Sequence, residues 1–170
     1  LKMNLKQVIK KKLNNPAAVA LLGVGSELRG DDVAGMLVAE TLQKSASKIN
    51  KRIKFKVFLG GTAPENFTGG IREFKPTHLI IVDSAETGKR AGTITVFDPE
   101  ETVGISFSTH SLPLKVMSDY LRSDTNCVII IIGIQPKTIK FGQLPTREIR
   151  QAVERVSQVL KEILCCKSCH

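Results

Sequence analysis

Apolar and polar positions along this chain alternate between two periodicities. Residues 17–24, 79–82 and 128–132 are near-continuous apolar runs of strand length, the last strongly β-branched. Runs that are apolar on both faces predict central strands of a parallel sheet. Residues 53–59 alternate apolar side chains with lysine and predict a more exposed strand. Residues 93–97 predict a short strand that turns at Asp98-Pro99, and a loop then leads to His110. Helical spacing fills the gaps between strands. Leu5, Val8, Ile9 and Leu13 share one stripe among lysines, which predicts a basic amphipathic helix over 3–14, ended by Pro16. Val33, Met36 and Leu37 give the inner side of a helix that begins at Asp31 and Asp32, with a capping role available to one of the two acids. A short helix from Pro64 towards Phe74 is weakened by Gly69-Gly70, and another covers 114–121 behind Pro113. The clearest helix starts at the cap residue Thr146 and carries Ile149, Val153, Val156, Leu160 and Ile163. Strands alternating with helices predict βαβ units. The fold class is therefore α/β, a three-layer α/β/α sandwich around a twisted, mostly parallel sheet, with residues 1–170 as a single domain.

Composition narrows the function classes. The 170 residues are 42% hydrophobic, too apolar for a disordered tail, and no apolar run reaches the ~18 residues of a membrane span. No compact apolar leader segment precedes the first helix, and the four cysteines show no paired framework, so a cytoplasmic location without stable membrane insertion is expected. The net charge of +9 favours acidic partners. The bases are dispersed, however, apart from Lys10-Lys11-Lys12, and aromatic stacking residues are scarce, so no nucleic-acid partner is expected. Cys127 reads as a small core residue. Cys165, Cys166, Cys169 and His170 crowd the end of the chain, where Cys166-x-x-Cys169-His170 could hold a metal or a redox pair, although a frayed tail is the commoner state of such a segment.

Three residues carry candidate chemistry. In open α/β sheets ligands bind beyond the carboxyl ends of the strands. Asp83 ends a buried strand, and Asp32 follows another through a short turn, so both carboxylates face one crevice if the strands are neighbours. Such a pair can be structural, can share a proton as an acid/base dyad, or can hold a cation that offsets the mutual repulsion. His110 lies in the polar loop Ser108-Thr109-His110-Ser111 and could join the two acids as a third ligand, leaving positions open for water. His78, which precedes a strand, has a bland structural reading. Gly23-x-Gly25 is not a dinucleotide fingerprint, since Leu28 stands in place of the third glycine and no acid ends the second strand. No P-loop lysine and no nucleophile elbow are present.

Five segments resemble, in order, the nickel-iron hydrogenase maturation endopeptidases (peptidase family A31), and most of all the hydrogenase 3 type. They are Gly23-Val24-Gly25-Ser26-Glu27-Leu28-Arg29-Gly30-Asp31-Asp32-Val33-Ala34-Gly35, Gly60-Gly61-Thr62-Ala63-Pro64-Glu65-Asn66, Leu79-Ile80-Ile81-Val82-Asp83, Thr109-His110-Ser111-Leu112-Pro113-Leu114 and Gly133-Ile134-Gln135-Pro136. Ser26, Val33 and Leu59 depart from the residues usual in that family at their positions. The resemblance implies a phosphorylase/hydrolase-like sandwich and one cut near the C-terminus of a hydrogenase large-subunit precursor after nickel insertion. It implies Asp32, Asp83 and His110 as metal ligands and catalytic residues, with an aspartic mechanism as the other use of the two acids. It implies substrate recognition by Gly60, Gly61 and Thr62. The implied metal is nickel, supplied by the substrate, with zinc or cadmium as substitutes in vitro. The alternative expectation is a non-catalytic nickel carrier or interaction module for hydrogenase assembly.

Overall fold

The structure is a computed structural model that describes residues 3–108 and 113–165. Helix α1 (Leu5–Lys12) begins where the Asn4 side chain accepts from the Gln7 amide and the Gln7 side chain answers to the Asn4 amide, so it starts later than the 3–14 expected from the apolar stripe. It stops at Leu13, whose backbone has left the helical region, and Asn15 and Pro16 then redirect the chain. Strand β1 (Ala18–Val24) is buried along its whole length. A short 3-10 turn over Gly30–Val33 leads into α2 (Ala34–Lys44), and β2 (Lys54–Gly61) follows. Pro64 opens a second 3-10 turn that becomes α3 (Thr68–Phe74).

Strand β3 (His78–Glu86) continues three residues past Asp83, further than its apolar run indicates. Strand β4 (Ile94–Phe97) comes next, and the presumed loop after it contains a 3-10 turn and the two-residue strand β5 (Ser106–Phe107), which pairs antiparallel with the end of β3. Helix α4 (Leu114–Thr125), β6 (Val128–Ile134) and α5 (Arg147–Leu164) complete the described chain.

The main sheet runs β2-β1-β3-β6-β4, parallel throughout except for β4. Strands β1 and β3 are therefore adjacent, as the placement of the two aspartates requires. Edge strand β2 exposes its lysines on one side, while β1, β3 and β6 are covered on both faces. On one face α1, α2 and α5 enclose Val19, Leu21, Ile80, Val82, Ile130 and Ile132. On the other, α3 and α4 enclose Ala20, Leu22, Leu79, Ile81, Ile129 and Ile131. Consecutive residues of each strand thus feed opposite cores, which is why these strands show no alternation. Cys127 lies in the second core, and His78 is buried with Nδ1 3.0 Å from the Thr77 hydroxyl. No helix among the described residues is long and apolar enough to cross a membrane.

The seating of α2 on the sheet sets the geometry of everything beyond the strand ends. A Cβ on Gly35 would lie 2.0 Å from the Val82 carbonyl oxygen and 2.3 Å from that of Val24, so only glycine permits the first turn of α2 to rest on β1 and β3. Gly35→Ala is expected to destabilise the fold by about 3 kcal/mol or more, since backbone rather than a flexible side chain blocks the added methyl. Thermal unfolding checks this, and a variant that melts within a degree of wild type contradicts the close-packed seating.

Candidate functional site

Asp31 and Asp32 sit side by side in the 3-10 turn but face different surroundings. Asp31 is fully buried and its carboxylate is saturated. Its Oδ2 accepts from the amides of Lys137 (2.7 Å) and Thr138 (3.1 Å) and from the Thr146 hydroxyl (3.1 Å), and its Oδ1 accepts from the Thr146 amide (2.7 Å). The carboxylate does not cap its own helix. It binds the residue before α5, and Thr146 gives its hydroxyl to Asp31 instead of capping α5 itself. Asp31 thereby fastens the β6–α5 loop to the turn after β1.

Asp32 faces a cleft of about 170 Å³ at the carboxyl ends of the parallel strands. Its Oδ1 accepts from the Ser84 hydroxyl at 2.8 Å and its Oδ2 from the Ser26 amide at 3.1 Å. Gly25 makes this placement possible. It has φ +136°, and a Cβ there would lie 1.8 Å from the Asp32 carbonyl oxygen.

Asp83 lies across Ser84 from Asp32 and is wholly buried. Its Oδ1 accepts from the Ser84 amide at 2.7 Å and from the Ser108 hydroxyl. Its Oδ2 has no hydrogen-bond partner among the described residues. Burial pushes the carboxyl up to about 7; the Ser108 hydroxyl bond works against this, and the Asp32 charge adds to it. A buried carboxylate oxygen with no donor, next to a second carboxylate, is costly unless a proton or a cation occupies it. The pair fits a hard or borderline divalent cation through oxygen ligands. The third expected ligand, His110, lies outside the described residues, and among those described no group of three His, Cys, Asp or Glu side chains is placed to hold a metal. Ser108, two positions before His110 in the chain, lines the same cleft.

The expected substrate-binding residues lie at the same end of the sheet but do not line this cleft. The Gly61 carbonyl accepts from the Gly25 amide at 2.9 Å, the Gly61 amide donates to Met36 Sδ at 3.3 Å, and Thr62 is exposed. Gly60 and Gly61 thus brace the β1 turn from the β2 side. The opposite wall comes from the β6–α5 loop, through Pro136, Thr138 and Ile139, with Arg29 at the mouth. Three residues gain roles that sequence reading did not assign. Ser84 bridges the acids, Ser108 anchors Asp83, and Gln135 holds the wall. Gln135 is buried, accepts from the Thr87 amide at 2.7 Å and donates to Glu86 Oε1 at 2.7 Å, which fixes Glu86 at the cleft. Cys166, Cys169 and His170 also lie outside the described residues, whereas Cys165 is half-buried and bridges to Ile49.

A family model described as hydrogenase maturation protease matches residues 36–163, which include Asp83 and His110. The Hydrogenase 3 maturation protease of Escherichia coli K12 is 40% identical over 142 residues, covering 83% of this chain and 87% of that one. The crystal structure of a [NiFe] hydrogenase maturation protease HycI from Thermococcus kodakarensis superposes with a TM-score of 0.82 at 31% identity, over 92% of this chain and 98% of that one. The solution structure of the endopeptidase HycI from Escherichia coli superposes at 0.70 with 37% identity, over 84% of this chain and 87% of that one.

Two outcomes follow from the unequal roles of the acids. Asp31→Ala strands two loop amides and the amide of Thr146 and should cost about 3–5 kcal/mol, whereas Asp32→Ala should cost about 1 kcal/mol or less, both read by denaturant unfolding. Equal losses would contradict the assignment. For Asp83 the folded carboxyl titrates near 7 and the unfolded one near its ordinary 3.8. The folded state then keeps a proton that the unfolded state releases, so this contribution to stability is full below about pH 4 and lost as pH rises to about 7. In chelator-treated protein Asp83→Asn should therefore gain on wild type between pH 5 and pH 8, by up to about 1.4 kcal/mol per pH unit in the lower part of that range. A pH-independent gap would contradict the raised value.

Proposed function

The chain belongs to the hydrogenase maturation protease family, and from that premise we propose that it removes the C-terminal extension of a nickel-iron hydrogenase large-subunit precursor once nickel has been inserted. The observation that carries this reading is the acid pair about Ser84 at the carboxyl edge of the sheet, with a buried oxygen on Asp83 that has no partner among the described residues. The precursor's nickel is then part of the substrate. Asp32 and Asp83 offer it carboxylate oxygens, and His110 is the third ligand of the set expected from the sequence. A cation held there would supply Lewis-acid chemistry, polarising a carbonyl or activating a water.

The protein's own groups do the positioning. The Ser84 hydroxyl and the Ser26 amide hold Asp32, using one lone pair on each oxygen and leaving acceptor capacity on both. Ser84 and Ser108 fix Asp83 by Oδ1, which leaves Oδ2 as the oxygen that would be offered to a cation. Cleavage then depends on metal loading, because an unloaded precursor leaves two acids facing each other without a counter-charge. The same two acids could instead act as an aspartic dyad, in which case cleavage would not need the precursor's metal.

Incubation with nickel-loaded precursor should release the extension with the wild-type chain. Asp32→Ala, Asp83→Ala and His110→Ala should each slow release by about 100-fold or more while the variants still melt cooperatively. Near-normal cleavage by all three variants removes the proposed roles. Equal cleavage of nickel-free precursor favours the aspartic dyad, and binding of loaded precursor without any release of the extension leaves a carrier.

A further inference from the structure

Four exposed apolar side chains lie on two hydrogen-bonded loops beside the cleft, and one of them, Ile139, lines it. Leu28 is 61% exposed, Ile139 42%, Phe141 76% and Leu144 82%. They come from the β1–α2 turn and the β6–α5 loop, which are joined by the Gly142 amide donating to the Leu28 carbonyl at 2.8 Å and by Arg29 Nε donating to the Ile139 carbonyl at 3.3 Å. The patch adjoins the cleft through Ile139, which belongs to both.

This exposure is built rather than slack. The Gly30 amide donates to the Gln143 carbonyl at 3.1 Å, the Thr138 hydroxyl donates to Gln143 Oε1 at 2.9 Å, and Asp31 clamps both ends of the loop. Pro136 and Pro145 restrict it further. A loop that spends its hydrogen bonds on its own shape, and then turns a phenylalanine and a leucine outward, is preorganised for an apolar contact.

We propose that this patch docks the folded body of the protein substrate beside its scissile segment, an inference that rests on the protease reading above. The cleft holds only a residue or two of chain at about 170 Å³, so selection of one protein must come from surface outside it. The exposed apolar area is on the order of 400 Å², about half the ~800 Å² per partner of a standard stable interface, which suits a transient enzyme–substrate contact better than a dimer of this chain. Arg29 and Lys140 flank the patch, and neither is in an ion pair among the described residues. The partner surface is therefore apolar with an acidic rim.

The test uses the full chain and the nickel-loaded precursor. Phe141→Ser combined with Leu144→Ser should raise KM at least tenfold with a much smaller change in kcat. In an Asp83→Asn background the same pair should raise the Kd for precursor at least tenfold. Lys140→Glu alone should raise KM severalfold, with a steeper effect at low salt. Val128→Ser, an exposed apolar position at the other end of β6, serves as the control and should change neither constant. Melting temperatures within about 2 °C of wild type would establish that the variants fold. KM and Kd within twofold of wild type overturn the proposal. So does a wild-type dimer that the double variant turns into monomer with KM unchanged, since the patch then serves a second copy. If wild type releases no extension, the protease reading fails, while the Kd comparison still decides the docking surface.

Discussion

Two carboxylates share one buried corner of this protein, and the rest of the site follows from holding them there. Asp83 is wholly enclosed and Asp32 nearly so, and among the described residues their donors are the Ser84 and Ser108 hydroxyls and the Ser26 and Ser84 amides. No lysine or arginine among the described residues forms an ion pair with either one. Burial alone lifts Asp83 towards neutrality, and the charge of Asp32 lifts it further. A protein that only needed structural acids here would donate to every oxygen, as it does for Asp31. Asp83 Oδ2, by contrast, has no donor among the described residues, the costly condition that the proposed cation would relieve.

Backbone contacts enforce this frustrated arrangement. The first turn of α2 lies directly on the carbonyls of Val24 and Val82, and Gly25 folds under the carbonyl of Asp32. Each contact replaces a side chain with main chain, so the distance between the two strand ends is not adjustable by rotamer changes. Adjacent acids in one short turn then diverge. Asp31 turns inward and satisfies the amides of a distant loop, while Asp32 turns to the cleft. One position fastens a distant loop and its neighbour faces the cleft, and the peptide between them is all that separates the two placements.

Much of this was legible in the chain. Fully apolar runs identified the central strands because both faces of β1, β3 and β6 are covered. The convergence of Asp32 and Asp83 followed from strand adjacency and the strand-end rule. The glycines of the first signature were visible as a motif, but their reason was not. They allow backbone to touch backbone, a long-range fact that spacing cannot express. The partners of Asp31 lie more than a hundred residues away, so a helix cap was the natural local reading of that residue. Ser84 sits in the sequence as an ordinary polar residue after a strand; only the β1–β3 pairing brings its hydroxyl to Asp32. The strand β5 was missed because two residues carry no periodicity.

The saturated acid also explains why the cleft wall can be both rigid and apolar outside. A β6–α5 loop running over the surface would ordinarily be held by burying its apolar residues. Here the clamp is electrostatic: the Asp31 carboxylate gathers two loop amides and the amide and hydroxyl of Thr146, and its charge lies at the start of α5, where the helix dipole favours it. With the loop fastened from inside by hydrogen bonds, Phe141 and Leu144 are not needed to hold it and are free to face outward. The two acids of one turn thus divide the surface between them, Asp32 lining the cleft and Asp31 shaping the wall beside it.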